Sequence, residues 1–454
     1  MSTELPKVAV IGAGSSGITA LKGLVDRGID AVAYEASDRI GGNWVFGNSN
    51  GMSASYRSLH INTSRERMEY SDYPMPKSYP DFPHHSHIAE YFDDYVDQFG
   101  LRERIRFETA VEHAERGEDG VWTLRDSRGG VDRFDALLVA NGHHWDPRWP
   151  EPAFPGSFDG LEMHAHSFTD GEMFRGKKVV VLGMGNSAMD IAVESSYIAD
   201  ETYLAARRGA HIIPKYIFGK PLDQVLGSDP RVPWKVRQTI FGGILRSQIG
   251  KVESYGLPKP DHKLGDAHPT ISDTILSRIT HGAIKVKPNI SELKGDRVRF
   301  VDGSEVEADI VIYCTGYKVT FPFFDEDFLS APDNDLPLFR RVFKPGFDNL
   351  FFVGLLQPLG AVMPLAEAQG RWVASYLRGE YALPVEPAME ADIGAERDAM
   401  FKRYVKSKRH TMQVDFEDYM RALDAEIEAG AERARERGFE LPVPARAGSA
   451  AAAA

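Results

Sequence analysis

The sequence predicts an α/β protein of two doubly wound parallel sheets, the second inserted into a discontinuous first. Three observations carry this. A buried strand, a glycine turn, a helix and a second strand follow one another from Lys7. The same succession recurs from Lys178. The chain, at 454 residues, has room for roughly two or three domains of ~150 residues.

Composition narrows the class. Hydrophobic residues make up 43% and charged residues 26%, as in globular chains that can build sizeable cores. Lys plus Arg number 53 against 66 Asp plus Glu, a formal charge of −13. A general nucleic-acid binder needs a basic face, so that class is set aside. Cys314 is the only cysteine. It can form no internal disulfide and fits a reducing, cytoplasmic compartment. It also excludes chemistry that needs a redox-active cysteine pair. The apolar run Val8–Ile11 is too short for a signal-peptide core, and no stretch approaches the ~20 residues of a membrane span. The Ala450–Ala454 run reads as a frayed tail.

The first unit opens Lys7-Val-Ala-Val-Ile, then Gly12-x-Gly14-x-x-Gly17, an apolar-periodic helix and Ala31-Val-Ala-Tyr-Glu35. This is the dinucleotide fingerprint in its proper place, between strand and helix. Gly12 permits the tight turn, Gly14 lets a pyrophosphate approach, and Gly17 lets the helix lie close to the strand. The helix start, Ser15 included, offers N–H groups to the phosphates. Glu35, 18 residues beyond Gly17, can accept hydrogen bonds from ribose hydroxyls. Beyond it we expect a helix near His87–Phe99, capped by Ser86, and short strands near 106–111, 121–125 and 136–140. Pro147, Pro150, Pro152 and Pro155 then mark a linker.

The second unit reads Lys178-Val-Val-Val-Leu-Gly183-Met-Gly185-Asn186-Ser187-Ala188-Met-Asp190, then Thr202-Tyr-Leu-Ala-Ala-Arg207-Arg208. Arginines stand where the first unit has Glu35. A carboxylate repels a 2′-phosphate, whereas a guanidinium grips it with paired hydrogen bonds. The first site therefore suits an adenosine without 2′-phosphate and the second suits NADPH. Two such sites on one chain imply electron transfer, with NADPH as donor and FAD as acceptor. A helix is expected from about Pro364 to Arg378, and a charged, helix-prone tail from about 393 to 437. The domains are expected at 1–170 plus 320–454 for FAD and 171–319 for NADPH, with the active site in the cleft between them.

Further motifs carry a resemblance. Phe158-x-Gly160-x-x-x-His164-x-x-x-Phe168 matches the linker fingerprint of one family. Gly41-Gly42-Asn43-Trp44 matches its flavin-covering turn, and Ser58-Leu-His-Ile-Asn62-Thr63 its segment between flavin and nicotinamide. Gly183–Asp190, His268-Pro-Thr-Ile-Ser, Cys314-Thr-Gly-Tyr317, Gln357–Pro364 and Arg409–Asp415 match as well. On these residues the chain resembles the flavin-containing monooxygenases, a soluble bacterial-type member without the membrane tail of the animal proteins. Ala165 and Ala140-Asn141-Gly142 depart from the usual pattern.

The resemblance implies an NADPH- and O2-dependent enzyme that oxygenates a soft amine or sulfide through a C4a-hydroperoxyflavin. It implies cofactor contacts at Gly42, Asn43, Trp44, Asn62, Thr63, Gly183, Gly185, Asn186, Ser187, Asp190 and Gln357, with Asn62 as the catalytic residue and His164 as architecture. The alternative is Baeyer–Villiger oxidation of ketones by the same machinery. A rival from another class is a non-catalytic NADPH-binding sensor. His84-His-Ser-His87 is dense in imidazoles but has no ligand partner at metal spacing, so no metal is expected. A homodimer stays open.

Overall fold

In the computed structural model, which describes residues 4–225, 234–404 and 411–447, Val8–Ile11 (β1) is buried throughout. Four consecutive apolar residues suit a strand covered on both faces. β1 lies at the centre of a five-stranded sheet in the order Leu350–Phe352, Ala136–Val139, β1, Ala31–Tyr34 (β2), Ile105–Arg106. Every pairing in it is parallel. Ser15–Val25 (α1) makes the crossover from β1 to β2 and packs on the helix Met363–Leu377. Small residues set that approach: a Cβ added to Gly370 would come 2.7 Å from the Ala20 Cα.

A three-stranded antiparallel sheet, Val111–Arg116, Trp122–Asp126 and Val131–Phe134, joins the same unit. Trp122 and Phe134 bury fully with Tyr34, Leu137, Leu350 and Phe352 in one core. The helix expected near His87 spans His85–Gln98, and its cap is His84 rather than Ser86. His84 is extended, so its ring nitrogen reaches back to accept from the Ser86 N–H at 3.3 Å. Tyr70 packs on Tyr91, Phe92 and Tyr95 of that helix.

The second parallel sheet has the order Leu161–His164, Ile310–Tyr313, Lys178–Leu182 (β3), Glu201–Ala206 (β4), Lys285–Pro288. Asn186–Ile198 (α2) joins β3 to β4. A four-stranded sheet accompanies it, with Gly156–Phe158 at one edge. The proline-rich linker is not a bare connection. Asp146–Pro147 pairs antiparallel with Tyr317–Lys318, so the outgoing and returning strands run together.

The chain divides into two compact units. One holds residues 1–53, 65–144 and 319–454, the other 54–64 and 145–318. The first boundary was expected at 170 but falls at 144, because Gly156–Phe158 and Leu161–His164 pair inside the second unit's sheets. Residues 54–64 were also expected with the first unit and group with the second. The charged tail divides into two helices, Glu386–Arg403 and Phe416–Glu436, and a strand Gln413–Asp415 that pairs with Gln357–Leu359. Arg409, His410 and Ala450–Ala454 lie outside the described residues.

Candidate functional site

In the first unit the glycine turn is closed by contact. A Cβ on Gly17 would lie 1.9 Å from the Gly12 carbonyl oxygen, so no other residue fits there. Gly12 has φ of +99°, a conformation that favours glycine. The Gly41–Trp44 turn closes over the same loop: the Gly41 N–H donates to the Ala13 carbonyl at 3.2 Å. A Cβ on Gly42 would come 3.2 Å from the Gly14 Cα. Two glycines therefore face each other across a cradle that side chains would fill. Gly14 starts α1 with no side-chain cap, leaving the first-turn N–H groups of Ser15 and its neighbours open.

Glu35 is 4% exposed. Its two oxygens accept from the Ala13 and Ser37 N–H groups, each at 2.8 Å. Burial raises its pKa, and those backbone donors hold it down in part. Asn43 and Trp44 are half-buried in the turn. Gln357 belongs to the same unit. Its N–H donates to Met412 at 2.8 Å, and its side chain makes no bond among the described residues.

The second loop is built alike with looser packing. Gly185 starts α2, again with no side-chain cap. Asn186 Oδ1 accepts from the Ile271 N–H at 2.8 Å, and the Thr270 hydroxyl donates to the Met184 carbonyl at 2.5 Å. The His268–Ser272 motif thus clamps the glycine turn. Ser187 is half-buried, and its hydroxyl makes no bond among the described residues. Arg207 follows β4, exposed and without a bond among the described residues. Arg208 differs: its Nε donates to Asp261 Oδ2 at 2.6 Å.

Asp190, expected on the nucleotide, lies in α2 just after the second glycine turn. Its Oδ2 accepts from the Tyr56 hydroxyl at 2.5 Å. Burial pushes its carboxyl up to about 6, against the pull of Tyr56 and Lys215. The Tyr56 bond helps fasten residues 54–64 to this unit. The Arg57 N–H donates to Thr169 at 2.8 Å, Ser58 donates to Glu194 at 2.6 Å, and Lys215 donates to the Ile61 carbonyl at 3.2 Å. The Ser64 N–H donates to Asp223 at 2.6 Å. Between these anchors Asn62 and Thr63 are half-buried. The Asn62 amide makes no hydrogen bond among the described residues, although its backbone neighbours are tied on both sides. The anchors Tyr56, Ser58 and Lys215 escape sequence reasoning, because nothing in the local pattern links residue 56 to residue 190.

Comparison with known proteins decides the family. The model of "Flavin-binding monooxygenase-like" proteins matches residues 5–433. The chain belongs to this family. It is similar to flavin-containing monooxygenase 5 of Rattus norvegicus, 40% identical over 440 residues, which span 92% of this chain and 82% of the relative. It is 34% identical over 454 residues to dimethylaniline monooxygenase [N-oxide-forming] 2 of the same animal, spanning 93% and 83%. Among solved structures it resembles the S-allyl-L-cysteine S-oxygenase of Allium sativum, with a TM-score of 0.70 and 25% identity over 97% of this chain and 95% of that one.

As a flavin-binding monooxygenase the protein uses FAD and NADPH. The two loops fit dinucleotides on their own geometry: each has an uncapped helix start, and the first has a cradle lined by Gly14 and Gly42 that any Cβ would narrow. No described helix is long and apolar enough to cross a membrane. Among the described residues no group of His, Cys, Asp and Glu could hold a metal ion.

Proposed function

We propose that this flavin monooxygenase oxygenates soft nitrogen or sulfur nucleophiles. The observation that carries its cofactor pairing is the pair of unlike loop endings. Glu35 is a buried carboxylate locked onto its glycine turn, whereas Arg207 is an exposed guanidinium with no partner among the described residues. The first ending suits FAD and the second the 2′-phosphate of NADPH. The N-oxide-forming and S-oxygenase names of two similar proteins support the substrate class.

In this reading residues 1–170 and 320–454 serve FAD and residues 171–319 serve NADPH, with 54–64 and 145–170 packed in the second unit. Gly12, Gly14, Ser15 and Gly17 hold the flavin's pyrophosphate, Glu35 its ribose, and the Gly42–Trp44 turn covers it. Gly183, Gly185, Asn186 and Ser187 hold the NADPH pyrophosphate. Gln357 is a further cofactor contact. Bound flavin supplies the electrophilic oxygen, so the substrate needs no activating acid or base from the protein. The chain's part is to bind, to exclude water and to offer the Asn62 amide, which both donates and accepts. Asp190 acts through Tyr56 as a positioning residue.

The test is NADPH oxidation in air with trimethylamine, an aryl sulfide, indole and a cyclic ketone, with products identified by mass. N-oxide or sulfoxide is the expected product. Lactone from the ketone with no amine or sulfide product would replace the reading with the Baeyer–Villiger one. The bacterial type and the cytoplasmic location are our readings of the sequence; cell fractionation tests the location, and light scattering decides the open question of a homodimer.

A further inference from the structure

The strap of residues 258–262 lies against the end of β4, where Arg207 and Arg208 emerge. Gly209 admits it, since a Cβ there would come 2.1 Å from the Pro258 carbonyl oxygen. His211 Nε2 donates to the His262 carbonyl at 2.9 Å, and the two rings meet edge to face at 5.2 Å. Thus held, the strap presents Asp261 to the Arg208 Nε at 2.6 Å. His262 Nδ1 stands 3.0 Å from the other oxygen of the same carboxylate. Of two adjacent arginines, one is neutralised by a built-in anion and the other has no bond among the described residues.

We propose that Asp261 is a specificity-determining residue, a resident counter-ion that competes with the nucleotide's 2′-phosphate for Arg208 and so tempers the preference for NADPH. This rests on the reading that the end of β4 receives the 2′-phosphate. A phosphate arriving at Arg207 meets a carboxylate one residue away on the guanidinium it would otherwise share. Either Arg208 leaves Asp261, losing a charge-assisted bond, or Asp261 stays and repels the phosphate. Both routes weaken binding of the 2′-phosphorylated nucleotide and leave the one without a 2′-phosphate untouched. Arg208 and Asp261 are nearly half exposed, 45% and 46%, so the effect is moderate and is screened by salt.

The experiment is calorimetric binding of adenosine 2′,5′-bisphosphate and of 5′-AMP to the flavin-loaded enzyme at low ionic strength. Asp261→Asn keeps an oxygen that accepts from Arg208 and removes the charge. It should tighten the bisphosphate about three- to tenfold, leave AMP unchanged, and lose most of the gain in half-molar salt. Asp261→Ser is the second variant and should show the same sign. Arg207→Ala, measured alongside, should weaken the bisphosphate. If Arg207→Ala weakens it while both Asp261 variants bind it unchanged or more weakly, the counter-ion role is overturned and the phosphate site stands. If Arg207→Ala changes nothing, the phosphate site itself is overturned.

Discussion

The two glycine loops begin alike and end differently. Both run from a buried parallel strand through a glycine turn into a helix that starts without a side-chain cap. In the first, Gly17 touches the turn so closely that a methyl group is forbidden. In the second, Ala188 carries one, with its Cβ 3.3 Å from where a Gly183 side chain would start. The acidic ending, Glu35, is hydrogen-bonded to its own loop. The basic ending, Arg207, is held by nothing described. The difference teaches that the first loop is closed by the fold itself, whereas the second, on the proposed reading, is completed by the nucleotide. A tightly kept flavin and an exchanging nicotinamide nucleotide would use such a pair.

The largest effect should come from exchanging the two helix-start residues. Gly17→Ala places a Cβ 1.9 Å from a backbone oxygen, which only a displaced helix can relieve. The variant should be colourless or insoluble, judged by flavin absorbance per protein and by circular dichroism. Ala188→Gly should cost only about 1 kcal/mol of helix stability and keep NADPH binding. A folded, yellow Gly17→Ala protein would erase the distinction between the loops. Gly14→Val sharpens it, because a Cβ at Gly14 would meet the Gly42 backbone no closer than 3.7 Å. That variant should fold and still lack flavin.

Next in size is Asn62→Ala. Losing one preorganised hydrogen bond at a reacting centre costs about a hundredfold in rate. FAD should stay bound, since the first loop is untouched. NADPH should still be consumed, with the electrons appearing as hydrogen peroxide instead of oxygenated product. The ratio of peroxide to NADPH measures this. An unchanged ratio at the parent product rate would make Asn62 a turn residue only.

The loops were legible in sequence because their signals are local: consecutive apolar residues, glycines at fixed offsets, and an acid or a base at the end of the second strand. The allegiance of residues 54–64 was not. It depends on Tyr56 meeting Asp190 and Ser58 meeting Glu194, contacts across more than a hundred residues that no periodicity encodes. For the same reason the Tyr56 bond to Asp190 went unread. The crossing at 145 was hidden because three-residue strands such as Gly156–Phe158 are defined by their partners. Ser86 lost the cap to His84 because capping rules weigh hydroxyls and carboxylates, and a favourably turned imidazole does the same work. Nor could sequence tell Arg207 from Arg208, which Asp261 separates.

That separation gives the third prediction. Arg207→Ala removes charge-assisted bonds worth about 1.5–3 kcal/mol each, so the KM for NADPH should rise beyond ~tenfold with little change for NADH. Arg208→Ala should cost less, because Asp261 already engages that guanidinium. Steady-state kinetics with both nucleotides check the order. Equal losses with NADPH and NADH would mean that neither arginine reads the phosphate.

The smallest effect concerns the anchor of the Asn62 segment. Burial lifts the Asp190 carboxyl to about 6 from an ordinary value of 3.8. In the unfolded chain it releases its proton near the lower value. Between these pH values the folded protein therefore holds the extra proton. Stability falls with rising pH wherever the folded state binds more protons, so Asp190 makes the protein lose stability from about pH 4 to about pH 6 and level off above. Asp190→Asn carries no titrating group and still accepts from Tyr56. Other buried carboxyls such as Glu35 and Glu367 shift in the same direction, so the wild-type curve alone is ambiguous. The difference between the two proteins isolates Asp190. Melting temperatures should show wild type losing a few degrees relative to Asp190→Asn across that window, with the gap constant above it. A gap that stays flat from pH 4 to 7 would mean that Asp190 is ionised throughout. Tyr56 would then be anchored to a full charge.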